Sequence, residues 1–116
     1  MNVEEEYQVI DHYLCIKMPR EVDHHNAGKI TEQADEMICR SEVKNLIFDF
    51  SSLSFMDSSG IGMIIGRYKL IHSIGGGVVL VCTSQRMKKL VTMSGLTRLI
   101  PVCSTVSQAL NEIKGA

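Results

Sequence analysis

Apolar residues occur along the chain in short blocks, and the spacing within each block separates strands from helices. Continuous or alternating apolar runs predict five β-strands, at residues 7–10, 13–18, 46–50, 78–82 and 99–102. Asp11-His12 separates the first two runs and predicts a tight hairpin. Because Pro101 cannot donate a backbone hydrogen bond, we expect the last strand at an edge of the sheet.

Four other segments carry apolar residues at the spacing of an amphipathic helix. We expect Asp23 to be the N-cap of the first helix and Ser84 to be the N-cap of the third, which Gly95 ends. The second helix is expected over residues 58–73 and the fourth over about residues 106–113. After the opening hairpin, helices and strands therefore alternate.

This order predicts an α/β fold. Strand–helix–strand units form right-handed crossovers between parallel strands, and the hairpin adds one antiparallel strand. We expect a mixed, mostly parallel sheet of four to five strands with about four helices packed on it, formed by residues 1–116 as one domain. Ligands bind where the carboxyl ends of parallel strands meet. The loops expected at that edge are Asp23-His24-His25, Asp57-Ser58-Ser59 and Thr83-Ser84.

Residues 57–62, with the sequence Asp-Ser-Ser-Gly-Ile-Gly, stand at the start of the second helix. A hydroxyl side chain here can cap the free backbone N–H groups of the helix. The same N–H groups favour an anion, including a phosphate carried by a serine such as Ser58. A serine cap followed by glycines that permit close packing is the alternative interpretation.

Three glycines weaken this helix by about 0.5–1 kcal/mol each relative to alanine, so a close neighbour is expected to require them. Gly60, Gly62 and Gly66 allow either the sheet or a partner protein to approach. Apolar residues surround the helix almost completely. We expect Met63 and Ile61 to leave an apolar surface for protein contact, with burial in the core as the alternative.

Composition narrows the classes of function. The net charge is −1, from 12 basic and 13 acidic side chains, so no nucleic-acid or membrane partner is expected. No run approaches the roughly 18 apolar residues that span a bilayer, and the acidic N-terminus is unlike a signal peptide. We expect a soluble, cytoplasmic protein. Its four cysteines form no C-x-x-C pair and are expected to be buried, reduced thiols.

Three motifs carry a resemblance to bacterial anti-sigma factor antagonists, which are domains of the STAS type. They are Phe-Met-Asp-Ser-Ser-Gly-Ile-Gly at residues 55–62 followed by Gly-Arg-Tyr-Lys at 66–69, Val-Asp-His-His-Asn-Ala at 22–27, and Met-Ser-Gly-Leu at 93–96. The likeness covers nearly the whole chain and is closest to the sporulation antagonists of the bacillus group. One departure is Arg20, where the family usually has glycine, and we expect it to reshape the loop beside Ser58.

The resemblance implies a phosphorylation switch. Ser58 matches the serine that is phosphorylated in this family. The unphosphorylated protein is expected to bind an anti-sigma factor that is also an ATP-dependent serine kinase, and so to free a sporulation sigma factor. Phosphorylation then inactivates it, and a serine phosphatase restores it. We expect a monomer when free, no cofactor, and partner contacts at Asp23, His24, Asp57, Ser58, Ser59, Gly60, Ile61, Gly62, Met63 and Arg67.

Other functions stay open. A hydrolytic nucleophile at Ser58 would need His24 or His25 as its base, and Met56 replaces the first glycine of a G-x-S-x-G elbow. A nucleotide site at residues 75–77, Gly-Gly-Gly, lacks the lysine of a Walker motif. A STAS interaction module without phosphorylation is the third alternative. Because adjacent histidines at a helix start are expected to point in different directions, the sequence predicts no metal site.

Overall fold

The computed structural model of the chain describes residues 5–114. The strands are β1 (Glu6–Ile10), β2 (Tyr13–Lys17), β3 (Glu21–Val22), β4 (Asn45–Asp49), β5 (Phe55–Met56), β6 (Val78–Val81) and β7 (Val102–Cys103). The helices are α1 (Ala27–Arg40), α2 (Ser58–Ser73), α3 (Gln85–Met93) and α4 (Val106–Lys114), with a 3-10 helix at Leu96–Arg98. The bounds of α2 agree with the sequence prediction.

The main sheet has five strands in the order β1-β2-β4-β6-β7. The hairpin makes β1 antiparallel to β2, while β2, β4, β6 and β7 run parallel to their neighbours. The predicted mixed, mostly parallel sheet with four helices is therefore confirmed. The carboxyl ends of the parallel strands face the edge where the sequence places the polar loops.

Alternation along the strands divides the core into two layers. On one face, buried side chains of the central strands pack with α1, α2 and α3, as Phe48, Ile30 and Ile64 illustrate. On the other face, Ile47 and Val79 pack against Ala109 of α4. Full burial of one large apolar side chain contributes roughly 1.5–3 kcal/mol, so the larger first layer supplies most of the stabilisation.

The start of α1 differs from the prediction. The N-cap residue is Asn26, and Asp23 lies three residues earlier, so the prediction that Asp23 caps this helix is wrong. The reason is a local turn: the Asp23 carboxylate accepts a hydrogen bond from the backbone N–H of His25 at 2.8 Å. An aspartate that bonds the backbone two residues on favours a turn over a helix cap.

The last strand is also shorter than predicted. Gly95 has a φ of 86° and ends α3 as expected, but the chain then forms the 3-10 helix at Leu96–Arg98. Leu99 consequently lies outside the strand, which contains Val102 and Cys103 alone. The predicted edge position of this strand is confirmed.

The structure has a second, two-stranded sheet that the sequence analysis did not predict. Strands β3 and β5 pair in parallel, with Glu21 opposite Phe55 and Val22 opposite Met56. Each strand has two residues, which is too short to show an apolar alternation in the sequence. This pair joins the segment before α1 to the segment before α2.

None of the helices among residues 5–114 is long and apolar enough to cross a membrane. Within the same residues, Cys82 is buried, Cys15 and Cys103 are half-buried, and none of the four cysteines forms a disulfide. Cys39 is exposed at the end of α1, so the prediction of burial is wrong for this thiol. Burial raises the pKa of the Cys15 thiol to about 11, with the charge of Asp49 adding to the effect.

Glycines in α2 provide a test of packing. A Cβ at Gly60 would overlap the Met56 side chain and lie 2.9 Å from Val22, whereas a Cβ at Gly66 would meet nothing within 4 Å among the residues that the structure describes. We expect Gly60→Ala to lower the free energy of unfolding by about 1–3 kcal/mol through overpacking. Gly66→Ala should raise it by about 0.5–1 kcal/mol, because alanine is the better helix former. Urea unfolding measures both, and equal effects would contradict the packing account.

Candidate functional site

The paired strands β3 and β5 bring two of the predicted loops together. The backbone N–H of Asp57 donates to the carbonyl of Val22 at 3.1 Å. Across the same junction, Nδ1 of His24 lies 3.9 Å from a carboxylate oxygen of Asp57. The third predicted loop has a local role, since the Ser84 hydroxyl accepts from the N–H of Met87 and caps α3 as expected.

Asp57 is the residue that caps α2. Its carboxylate accepts hydrogen bonds from the backbone N–H groups of Ser59 at 2.8 Å and Gly60 at 3.4 Å. We predicted that these N–H groups would bind an anion or a serine hydroxyl. They donate instead to the Asp57 carboxylate. Ser58 follows the cap with an exposed side chain, and its hydroxyl makes no hydrogen bond to another residue in the described part of the chain.

The partner-contact surface beside Ser58 is smaller than the sequence predicted. Met63 is 5% exposed and packs in the core, so the prediction that it forms an apolar contact surface is wrong. Gly60 is also buried, because α2 approaches Met56 and Val22 there, and it presents nothing to a partner. Ile61 is half-buried against the core.

Gly62 remains available at this surface for contact with a partner. It is exposed, and a Cβ built on it would meet nothing within 4 Å in the described part of the chain. The chain's own packing therefore does not require a glycine at this position, in contrast to Gly60.

Arg67 was expected to contact a partner, but its side chain is largely buried. Its side chain is 14% exposed, and its Nε lies 2.8 Å from a carboxylate oxygen of Asp35 on α1. Neither atom has hydrogen-bond geometry with a partner among residues 5–114, so the contact is an ion pair rather than a hydrogen bond. Arg67 thus joins α1 to α2 and is removed from the candidate contact surface.

Phe55 is a candidate contact residue that sequence analysis missed. Its side chain is 45% exposed, while the next residue, Met56, is 3% exposed. Successive residues of a strand point to opposite sides, so a buried Met56 implies an outward Phe55. Recognising residues 55–56 as a strand would have identified this aromatic side chain three residues before Ser58.

The two adjacent histidines do not diverge. The ring centroids of His24 and His25 lie 3.9 Å apart with an angle of 37° between the planes, so the prediction of divergent side chains is wrong. Asp23, His24 and His25 each place a potential ligand atom within 4.8 Å of the others. The hydrogen bond from the N–H of His25 is the main cause that lowers the pKa of Asp23, which keeps this carboxylate charged.

Arg20 has an unstrained backbone at the position where the resemblance led us to expect glycine. Its carbonyl accepts hydrogen bonds from Ser54, through the backbone N–H at 2.8 Å and the hydroxyl at 3.0 Å. Among the non-glycine residues of the described chain, Asp11 and Glu42 have positive φ and Arg20 does not. A glycine is therefore not required at this position to form the loop that precedes β3.

The enzyme and nucleotide alternatives gain no support from geometry. No hydrogen bond joins Ser58 to His24 or His25 within the part of the chain that the structure describes. A Cβ at Gly76 would overlap the carbonyl oxygen of Lys44. Gly76 therefore permits the close approach of the chain to Lys44, and Gly75, with a φ of 81°, permits the turn before it.

Comparison with known proteins defines the class. Residues 4–109 match the STAS domain family. The chain belongs to this family, and it is 34% identical over 114 residues to the anti-sigma F factor antagonist of Paenibacillus polymyxa, covering 98% of this chain and 97% of that protein.

Solved structures give the same assignment. The anti-sigma factor antagonist SpoIIAA in its unphosphorylated form matches with a TM-score of 0.76 and 26% identity, covering 97% of this chain and 99% of that one. The Bacillus cell fate determinant SpoIIAA in the phosphorylated form matches with a TM-score of 0.74 and 28% identity, covering 94% and 98%. The relatives of this chain thus include anti-sigma factor antagonists.

The cap at Asp57 can be tested directly. We expect Asp57→Ala to lower the free energy of unfolding by about 1 kcal/mol, because two N–H groups of α2 lose their acceptor. Asp57→Asn is the matched control, since its side-chain oxygen can still accept and its stability should stay within a few tenths of a kcal/mol of the parent. Urea unfolding would contradict the assignment if Asp57→Ala were as stable as Asp57→Asn.

Proposed function

We propose that this protein is an anti-sigma factor antagonist that is switched by phosphorylation of Ser58. The observation that carries the proposal is the exposed Ser58 side chain at the first residue of α2, directly after the Asp57 cap. Support comes from the relative named anti-sigma F factor antagonist and from the similarity to SpoIIAA, whose phosphorylated and unphosphorylated forms are both solved.

In the proposed cycle, the unphosphorylated protein binds an anti-sigma factor that is a serine kinase and thereby frees a sporulation sigma factor. The kinase phosphorylates Ser58 and releases the antagonist, and a serine phosphatase restores it. The protein itself performs no catalysis. Its role is to present one hydroxyl group within a binding surface.

The proposed contact surface consists of exposed or half-exposed residues on the two joined loops and the first turn of α2. Ile61 contributes the apolar part and Gly62 permits close approach. Phe55 is added here because its exposed ring lies in β5, just before the Asp57 cap. The full proposed set is Asp23, His24, Phe55, Asp57, Ser58, Ser59, Ile61 and Gly62.

Electrostatics explain why a phosphate on Ser58 would oppose binding. It adds about −1.5 to −2 charges beside Asp57, whose carboxylate is close to His24. The N–H groups of Ser59 and Gly60 already bond Asp57 and are not available to pair the phosphate. The free protein can leave the phosphate in water, but docking a partner must desolvate or pair it, which is costly for an unpaired charge.

Phosphorylation at Ser58 is tested by incubating the protein with the anti-sigma factor kinase and ATP and measuring the intact mass. We expect a gain of one phosphate, which Ser58→Ala abolishes. Ser59→Ala is the matched control, because it removes the neighbouring hydroxyl, and it should retain the gain. Loss of the phosphate in Ser59→Ala alone would move the site to Ser59.

Gly62 tests the proposed surface independently of phosphorylation. A methyl group at this position meets no atom within 4 Å among residues 5–114, so Gly62→Ala should raise the free energy of unfolding by about 0.5–1 kcal/mol. It should nevertheless weaken binding to the anti-sigma factor at least about tenfold, a loss of about 1.4 kcal/mol, if the partner approaches the backbone closely.

Gly66→Ala provides the control for this experiment. It adds the same methyl group to the same helix without a clash among the described residues, and it lies about 12 Å from Ser58 along the helix axis, at 1.5 Å per residue over eight residues. We expect unchanged affinity. Calorimetric titration that finds full affinity in Gly62→Ala would place the partner elsewhere.

A further inference from the structure

We propose that Asp23, His24 and His25 form a binding site for a divalent transition-metal cation, for which Zn²⁺ is the suitable probe. The three residues offer one carboxylate oxygen and two imidazole nitrogens, and these potential ligand atoms all lie within 4.8 Å of one another. Imidazole and carboxylate groups are zinc ligands, and three protein ligands leave a fourth position for water. Zinc binding by this cluster is independent of the function proposed above.

The spacing of the atoms fits coordination. Two ligands about 2.1 Å from a tetrahedral zinc ion are separated by about 3.4 Å. Nδ1 of His25 and the Oδ1 of Asp23 are already 3.4 Å apart. His24 has a side chain that is 70% exposed, so its ring can rotate toward the same point without displacing core residues.

The turn that carries these ligands is held in place by Asn26. Its side-chain oxygen accepts from the backbone N–H of Asp23 at 3.0 Å, and its side-chain amide donates to the carbonyl of Glu21 at 2.8 Å. The backbone positions of the ligands are therefore fixed on both sides of the turn. Little ordering of the main chain is needed when the cation binds.

A second carboxylate, that of Asp57, lies near His24 on the facing loop. Nδ1 of His24 lies 3.9 Å from Oδ2 of Asp57, the oxygen that does not accept the α2 cap bonds. A histidine that binds metal through one nitrogen commonly donates the other N–H to a carboxylate, which orients the ring. At 3.9 Å the two atoms are too far apart for a hydrogen bond, but rotation of the exposed His24 ring can shorten this distance, while Asp23 contributes a charged ligand.

Calorimetric titration of the full chain with Zn²⁺ tests this proposal. The parent for all variants should carry Cys39→Ser, because the exposed thiol of Cys39 is itself a zinc ligand. We expect saturable binding of one ion per chain. His24→Ala, His25→Ala and Asp23→Asn should each weaken it at least about tenfold.

The other two histidines provide matched controls. His12 lies in the turn between β1 and β2, and His72 lies near the end of α2. His12→Ala and His72→Ala should leave the affinity within about twofold of the parent. Equal weakening by these controls, unchanged binding in Asp23→Asn, or no saturable binding would each overturn the site.

A spectroscopic measurement keeps the test valid if a variant fails to fold. In the Cys39→Ser parent, with all four histidines present, Zn²⁺ should shift the imidazole NMR signals of His24 and His25 and leave those of His12 and His72 in place. Shifts spread over all four histidines would contradict a defined site. Because His24 and Asp23 also belong to the proposed partner surface, the cation and the anti-sigma factor would compete, a consequence that does rest on the proposed function.

Discussion

The candidate site depends on one short interaction, the parallel pairing of β3 with β5. Two residues from each strand hold the turn before α1 beside the start of α2, and the hydrogen bond from Asp57 to Val22 extends this contact to the α2 cap. Without it, the histidine turn and the serine turn would belong to separate loops. The larger sheet supplies stability, whereas this small sheet sets the geometry of the site.

The cap at Asp57 determines what the neighbouring hydroxyl can do. Because the Asp57 carboxylate accepts from the N–H groups of Ser59 and Gly60, the Ser58 hydroxyl is not needed as a helix cap and its side chain stays exposed. Met56 packs closely against Gly60 below Ser58, so the backbone at the start of α2 has little room to move. A negative group added to Ser58 would therefore alter the charge of an existing surface without a required change of fold.

Most of the fold could be predicted from the sequence because its elements are long enough to show a hydrophobic period. The same method could not find β3 and β5, each of two residues, and so missed the exposed side of Phe55. Asp23 was misplaced because an aspartate favours both helix caps and local turns, and a short-range pattern does not separate them. The burial of Met63 follows from packing between distant segments, which local spacing does not contain.

The most direct test compares the affinity of the phosphorylated and unphosphorylated protein for the proposed partner, an anti-sigma factor kinase, by calorimetry. Because the Ser58 phosphate would have to be desolvated beside Asp57, phosphorylation should weaken binding, and a complete switch from 99:1 to 1:99 occupancy requires about 10⁴-fold, or about 5.5 kcal/mol. Undiminished binding by the phosphorylated form would contradict the account.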